Sequence, residues 1–171
     1  HSLIPVPADP ADAQFTNLAP AAAITYSSIY ALINPSAEAL IDRQVLKGRI
    51  IQYWRSDPNQ DPAGQWVQLA FPVPITVRTI RLYNPRFGDE AQSTLQVEAA
   101  TVILYRDAAA TQEVARNRVG PLAVSGTAVP FADVRAQAVR VIIDDVTGTF
   151  ETLRVASLAE VEVIARGEAA E

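Results

Sequence analysis

The stretch QWVQLAFPVPITVRTIRLYN, from Gln65 to Asn84, is the clearest indication of the fold in this sequence. Its two parts Trp66 to Phe71 and Val77 to Tyr83 are rich in β-branched and aromatic residues that alternate with polar ones. Between them lies FPVP, whose prolines have no N–H to donate to a central ladder. The stretch therefore predicts two strands separated by a turn.

Three further segments have the same composition and predict strands: Val97 to Tyr105, Val139 to Ile143 and Leu158 to Ile164. Turn residues recur between the runs. Ser36 to Leu46 predicts at most a turn or two of helix. Short strands joined by polar turns, with almost no helix, indicate an antiparallel sandwich or barrel.

The last of these runs shows the alternation most directly. Glu160 and Glu162 are predicted to lie on its solvent face. A one-residue slip after Leu158 predicts a bulge, or a strand that starts at Ala159. The core candidates of this strand are Leu158, Val161 and Val163.

Length and composition exclude several classes of protein. The chain has 171 residues, which is typical of one domain with a sizeable core, and it has no cysteine for disulfides or thiolate metal sites. Its net charge of −5 works against binding to nucleic acid or an anionic membrane surface. No apolar run approaches the ~20 residues that span a bilayer.

The sequence predicts three parts: a proline-rich arm or linker over residues 1–20, a β-domain over 21–166, and a tail over 167–171. Four of the twelve prolines lie in the arm, which is also apolar enough to contact a neighbour. The chain starts at His1 and has no methionine, so it reads as a processed product or a fragment. We expect a secreted or cell-surface protein whose signal peptide has been removed.

The order of several short motifs resembles the discoidin, or coagulation-factor C-type, domain. The motifs are ALID (39–42), YWRS (53–56), the stretch 65–84 and SLAEVEV (157–163). The resemblance runs from about Ala21 to Arg166. It implies an eight-stranded jelly-roll sandwich of the galactose-binding type, related to carbohydrate-binding modules. Such domains bind glycans, phospholipid head groups or proteins through loops at one end, and have no catalytic activity of their own.

The resemblance also implies a structural calcium ion, with Asp42 and Glu160 as its carboxylate ligands. Calcium prefers six to eight oxygen ligands, so two carboxylates and loop carbonyls suit it. The family's short Asp-Gly turn is replaced here by the longer RQVLKGRIIQY (43–53). The alternative is that Asp42 caps a turn and Glu160 faces solvent.

The loop YNPRFGD (83–89) is the predicted ligand site. Amide and guanidinium groups bond sugar hydroxyls, while an aromatic ring covers the apolar face of a pyranose. In relatives that bind galactose-like sugars the site also uses a histidine from a neighbouring loop, and none is available here because the one histidine is His1. The alternative is a plain turn in which Arg86 pairs with Asp89 or Glu90. The ligand candidates are Tyr83, Asn84, Arg86, Phe87 and Trp54, although for Trp54, as for Trp66, burial in the core is the alternative.

No catalytic residues are predicted. The single histidine is His1, at a terminus, so a Ser-His-Asp set or a zinc site is not expected. The adjacent pairs Asp144-Asp145 and Asp89-Glu90 would point to opposite faces of a strand, which does not suit two-carboxylate hydrolysis.

Two functions remain. One is a non-catalytic module that recognises carbohydrate or a cell-surface partner. The other is a structural or assembly subunit of an extracellular, filament or virion-surface lattice that self-associates through its arm. A weaker third possibility is an accessory domain of a larger hydrolase.

Overall fold

The computed structural model describes residues 15–31, 37–43, 53–85 and 94–167. Two short 3₁₀ turns, Ala19–Ala21 and Glu38–Ile41, are the helical segments of this part of the chain. The prediction of an all-β fold with little helix is therefore confirmed. The strands are β1 (Thr16–Asn17), β2 (Ala23–Tyr26), β3 (Trp54–Arg55), β4 (Trp66–Tyr83), β5 (Gln96–Tyr105), β6 (Glu113–Val119), β7 (Thr127–Thr147), β8 (Ser157–Leu158) and β9 (Glu160–Gly167).

Seven of the strands form one antiparallel network, in the order β1-β9-β4-β7-β5-β6, with β2 on the free edge of β4. β3 pairs separately with β8. Because β4 and β7 are long and bend together, each contributes to two layers. The first part of β4 pairs with β2 and its second part with β9. The network therefore forms two facing layers with one core between them.

The core contains residues from both layers. Val67 and Leu69 face inward from the first part of β4, and Ile80 and Leu82 from its second part, all fully buried. They belong to a single apolar cluster. Burial of each such side chain contributes about 1.5–3 kcal/mol relative to exposure.

The FPVP segment is not a turn, which corrects the sequence prediction. β4 continues through it, but its pairing with β7 is interrupted between Ala70 and Ile75. The two prolines lie in this gap, where their missing N–H groups break no ladder bond. Pro72 and Val73 are exposed, so the segment forms the corner at which β4 passes from one layer to the other.

Several other strand predictions change in extent. β6 was not predicted, because EVARNRV is polar and lies at an edge of the sheet. The predicted strand Val139 to Ile143 is the middle of the much longer β7. The predicted break at Ala159 is confirmed, since this residue separates β8 from β9 and the two strands pair with different partners.

The two tryptophans lie in different surroundings. Trp54 is fully buried in the core. Trp66 is half-buried on the outer face, where the guanidinium of Arg140 lies 4.4 Å from its ring centroid. The core interpretation is therefore wrong for Trp66, because Val67 takes the inward position at this point of β4.

Only residues 15–20 of the predicted arm are described, and they are packed on the domain. Thr16 and Asn17 pair with Ala165 and Ile164 of β9. The Asn17 side chain also accepts the N–H of Val163 at 3.0 Å. Residues 1–14 and 168–171 lie outside the described part, so self-association through the arm stays a prediction.

In the described part of the chain, no helix has the length and apolar character needed to cross a membrane.

The sandwich has two chemically different ends. At one end lie the described residues of four connections, which we call the loop end: 27–31, 37–43, 53–65, 84–85, 94–95, 120–126 and 148–159. At the other end lie the bend 72–74 in β4, the turn 106–112 and the bend 133–137 in β7, which we call the corner end.

Candidate functional site

Of the predicted ligand loop, the structure describes Tyr83 and Asn84, while Arg86 and Phe87 lie outside the described residues. Asn84 is 4% exposed. Its side-chain oxygen accepts the N–H of Val97 at 2.8 Å, and its side-chain nitrogen donates to the carbonyl of Leu95 at 3.3 Å. The amide therefore joins the two ends of the loop, which leaves its ligand role a prediction.

Tyr83 lies at the start of this loop with its ring mostly buried. Its hydroxyl donates to the carboxylate of Glu162 on β9, and burial raises the pKa of the phenol. Gly126 permits the close approach of the 120–126 loop, since a Cβ there would come within 2.8 Å of the Tyr83 ring. Tyr83 therefore has a packing role, and a ligand contact by it stays a prediction.

Trp54, the remaining ligand candidate, is 0% exposed. Its indole N–H donates to the carbonyl of Ser28 at 3.1 Å, which satisfies its one donor. The alternative given for Trp54, that it is a core residue, therefore describes its surroundings. Through its bond to Ser28 it supports the loop end from the core side.

The proposed calcium ligands lie near the 3₁₀ turn Glu38–Ile41. Glu160 is 0% exposed, so its predicted position on the solvent face is wrong. Its carboxylate accepts the N–H of Arg43 at 2.7 Å, in a turn where Arg43 has φ +66°. Asp42, the preceding residue, is exposed. Across the described ranges, no group of three or more histidine, cysteine or acidic side chains is placed to hold a metal ion.

A polar network at the loop end was not predicted from the sequence. The Ser28 hydroxyl donates to the side-chain oxygen of Gln65 at 2.6 Å and accepts the N–H of Asp57 at 3.0 Å. The Gln65 amide nitrogen donates to the carbonyl of Asp61 at 3.0 Å. These bonds hold the segment after β2 against the connection from β3 to β4.

The two segments enclose a cleft of about 390 Å³, which opens at the loop end. Asp57 accepts the N–H of Asn59 at 2.9 Å, so a short turn presents both side chains next to each other. Asn59 is exposed, and Tyr30, from the other segment, is half-buried and also lines the cleft. The lining residues are Ile29, Tyr30, Ala31, Asp57, Pro58 and Asn59.

Arg55 connects this cleft to the core. It is 0% exposed, and its guanidinium lies 5.8 Å from the ring centroid of Tyr53 and 5.2 Å from that of Phe150. Burial lowers the pKa of Arg55 to about 10, an effect that the nearby phenols of Tyr53 and Tyr30 partly offset. The Arg55 carbonyl also accepts the N–H of Tyr30 at 2.8 Å, which places that cleft wall.

The sequence signal for this cleft is weak. DPNQDPAG (57–64) reads as a turn, and SSIYA (27–31) as a polar connection, without any indication that the two meet. They are joined directly by the bond from the Asp57 N–H to the Ser28 hydroxyl, across 29 residues. Long-range contacts of this kind follow from the layer topology and cannot be obtained from local patterns.

No family model matches the chain, and no curated protein matches it. Solved structures do. The lectin domain of lectinolysin, in complex with Lewis B antigen, is 24% identical, has a TM-score of 0.66, and the match covers 90% of this chain and 98% of that one. A fucose-binding module of Streptococcus pneumoniae is 20% identical, with a TM-score of 0.64 and coverage of 88% and 95%.

A third similar structure is the family 32 carbohydrate-binding module of C. perfringens NanJ, in complex with galactose. It is 16% identical, with a TM-score of 0.64 and coverage of 87% of this chain and 98% of that one. At these identities the likeness concerns the fold. The chain has the galactose-binding-like jelly-roll fold, as the resemblance in the sequence implied.

Proposed function

We propose that this protein is a non-catalytic carbohydrate-binding domain, and that the cleft between Tyr30 and Asp57 at the loop end binds one sugar unit of a glycan. The observation that carries the proposal is the placement of an aromatic ring, a carboxylate and an exposed amide around one cleft. Its volume of about 390 Å³ lies within the range typical of small-molecule sites.

The chemistry of the cleft suits a sugar. Asp57 can accept hydrogen bonds from hydroxyl groups, and the Asn59 amide can both donate and accept. The Tyr30 ring offers an apolar face for the C–H side of a pyranose. Among the described lining residues Asp57 is the one carboxylate, whereas glycoside hydrolysis generally uses two. Binding without bond cleavage is therefore the better interpretation.

The fold supports the same conclusion by analogy. Of the similar structures named above, one is a complex with Lewis B antigen, one is a fucose-binding module, and one is a complex with galactose. The proposal includes a secreted or cell-surface location, because a domain would meet such glycans there. Analogy of fold alone is an associational argument, so the residues of the cleft must be tested directly.

The test is a titration of the whole chain with a panel of neutral mono- and oligosaccharides, followed by NMR or calorimetry. Tyr30→Ala and Asp57→Asn should each weaken binding at least about tenfold, the effect of losing roughly 1.4 kcal/mol of contact energy. Asp145→Asn is the matched control, because Asp145 is exposed on β7, away from the cleft lining, and loses the same charge.

Two results would contradict the proposal. One is the absence of binding across a broad panel by the wild-type chain. The other is saturable binding that both cleft variants retain while their thermal unfolding matches that of the wild type.

We also propose a structural calcium ion at Asp42 and Glu160. The position of the Glu160 carboxylate supports it, because this carboxylate accepts the N–H of Arg43, the residue directly after Asp42. Carboxylates and loop carbonyls are the oxygen ligands that calcium prefers.

Calcium should raise the midpoint of thermal unfolding relative to EGTA, and Glu160→Gln should remove that difference. Glu98→Gln is the control variant. The Glu98 carboxylate, on β5, accepts a hydrogen bond from the Thr147 hydroxyl, and its replacement should leave the calcium effect unchanged. If the unfolding midpoint does not depend on calcium in the wild type, this proposal is wrong.

A further inference from the structure

The cleft between Tyr30 and Asp57, which we call the Tyr30 cleft, carries negative charge. Among its described lining residues, Asp57 is the one that is charged. Asp57 is half-buried, and across the described ranges no arginine or lysine forms an ion pair with it. Because water and salt screen a partly buried charge less than an exposed one, this carboxylate can attract a cation in the cleft.

The polar side chains of this cleft keep hydrogen-bonding capacity for a ligand. One Asp57 oxygen accepts the N–H of Asn59 at 2.9 Å. The other oxygen lies 3.5 Å from the side-chain nitrogen of Gln60, at the limit of a hydrogen bond, and a carboxylate oxygen has more than one acceptor position. In the part of the chain that the structure describes, the Asn59 side-chain amide makes no hydrogen bond. Both groups can therefore bond a ligand directly.

Arg55 lies beneath the cleft wall and does not neutralise Asp57. It is 0% exposed, and its guanidinium lies against the rings of Tyr53 and Phe150. Its contact with the wall is made by the backbone, since the Arg55 carbonyl accepts the N–H of Tyr30. The positive charge of Arg55 is therefore not presented to a ligand in the cleft, and the accessible charge there is that of the carboxylate.

A second cleft of similar size, which we call the corner-end cleft, lies at the other end of the sandwich. Its volume is about 380 Å³, and its described lining residues are Pro74, Arg106 and Arg135. None of these three residues has a carboxylate, so a cationic ligand has no opposite charge among them. Of the two clefts, the Tyr30 cleft is the one whose charge suits a cation. The net charge of −5 on the whole chain also attracts cations.

We propose that the Tyr30 cleft prefers an amino sugar, with a protonated primary amine, over the same sugar with a hydroxyl or an acetamido group at that carbon. This inference rests on the proposed function, since it names the class of sugar that the same cleft binds. The ammonium group donates a charge-assisted hydrogen bond to the Asp57 carboxylate, which is stronger than the bond of a neutral hydroxyl. The Asn59 amide and the Tyr30 ring contact the rest of the sugar.

The experiment is calorimetry of the whole chain at about pH 6, where an amine is protonated. The probes are the methyl glycosides of galactosamine and glucosamine, each with its N-acetylated and its 2-hydroxy counterpart. Asp57→Asn removes the charge and keeps an oxygen for the Asn59 N–H. The matched control is Asp61→Asn, because Asp61 is exposed in the same turn, lies outside the described cleft lining and accepts the N–H of Ala63 in the same way.

We expect the wild type to bind at least one amino sugar at least about tenfold more tightly than both of its neutral counterparts. In Asp57→Asn this preference should fall below about twofold, and in Asp61→Asn it should change by less than about twofold. Added salt should reduce the preference without abolishing the binding of the neutral sugars, since salt screens the charge and leaves the other contacts unchanged.

Three results would overturn this inference: a preference that Asp57→Asn retains, a preference that Asp61→Asn loses to the same extent, and a lysine peptide or alkylamine that binds as tightly as the amino sugar. Neutral sugars that bind in the cleft as tightly as amino sugars would also overturn it, while leaving the proposed function intact. If no sugar binds, whether amino or neutral, both proposals are wrong. The two failures are therefore distinguishable.

Discussion

The loop end and the corner end are built by different means. At the loop end, side chains such as Ser28 and Gln65 form the bonds that hold irregular segments together. At the corner end, the continuous strands β4 and β7 bend together and need few such side-chain bonds. One side-chain bond there is that of Gln137, which donates to the carbonyl of Phe71 at 3.0 Å. Irregular backbone needs explicit partners, whereas bent strands keep most of their ladder partners.

The two ends also differ in what lies beneath their surfaces. The loop end buries a tryptophan and an arginine beneath its cleft, so the cleft wall is supported by the core. The corner end presents exposed arginines, such as Arg106 and Arg135, next to strands that pack on the core.

The largest expected effect is a difference in the free energy of unfolding between alanine variants of the two tryptophans. Trp54→Ala should lower the free energy of unfolding by about 3–5 kcal/mol, because it removes a fully buried indole and leaves a cavity. Trp66→Ala, which exposes part of the outer face and loses the Arg140 contact, should cost about 1–2 kcal/mol. Urea unfolding measures both. Equal losses would show that the loop end does not depend on Trp54 as described.

A smaller effect is expected for the polar network. Ser28→Ala should cost about 1–3 kcal/mol, since it removes the acceptor of the Asp57 N–H and one of the two hydroxyl donors to the Gln65 oxygen, the other being Ser27. Hydrogen exchange should also accelerate at residues 57–61, more than in β4. Ser125→Ala, at an exposed position, serves as control and should change stability by less than about 0.5 kcal/mol. An unchanged exchange rate at 57–61 would contradict the network's role.

The smallest effect is the loss of stability at acidic pH. The Arg78 guanidinium lowers the pKa of Asp133 below its ordinary value of 3.8, and the Thr111 hydroxyl and neighbouring amides lower that of Asp107. Lower values in the folded state mean that both carboxylates stabilise the fold above pH 3.8 and lose this contribution as the pH falls further. Denaturant midpoints between pH 6 and 2 should therefore decrease mainly at the acid end, and less steeply in Asp133→Asn. An identical slope in that variant would refute the assignment.

The main features of the fold could be predicted from local patterns. Alternation in residues 66–71, 77–83 and 158–164 predicted strands that the structure contains, and the break at Ala159 was visible as a slip in the last of these patterns. The prediction of a turn at FPVP was wrong for a specific reason. Local rules exclude proline from a paired central strand, but here the ladder is interrupted at a corner that only the two-layer arrangement creates.

Burial of individual residues was harder to predict. Glu160 and Glu162 alternate with valines and read as one solvent face, yet Glu160 is fully buried against the Arg43 turn. Trp66 and Val67 could each have been the inward residue of β4. A strand's periodicity shows which residues share a face, but what covers that face is decided by segments far away in sequence.

The sequence by itself determined the class of this fold, antiparallel strands with almost no helix, in a chain that has no cysteine for disulfides or thiolate metal sites. The tertiary structure alone decided where clefts form. The Tyr30 cleft lies between two segments that the bond from the Asp57 N–H to the Ser28 hydroxyl joins, and the corner-end cleft lies between a residue after β5 and the bends in β4 and β7. The physical reason is that strand formation depends on local side-chain patterns, while a cleft depends on contacts between residues that only the packing of two layers brings together.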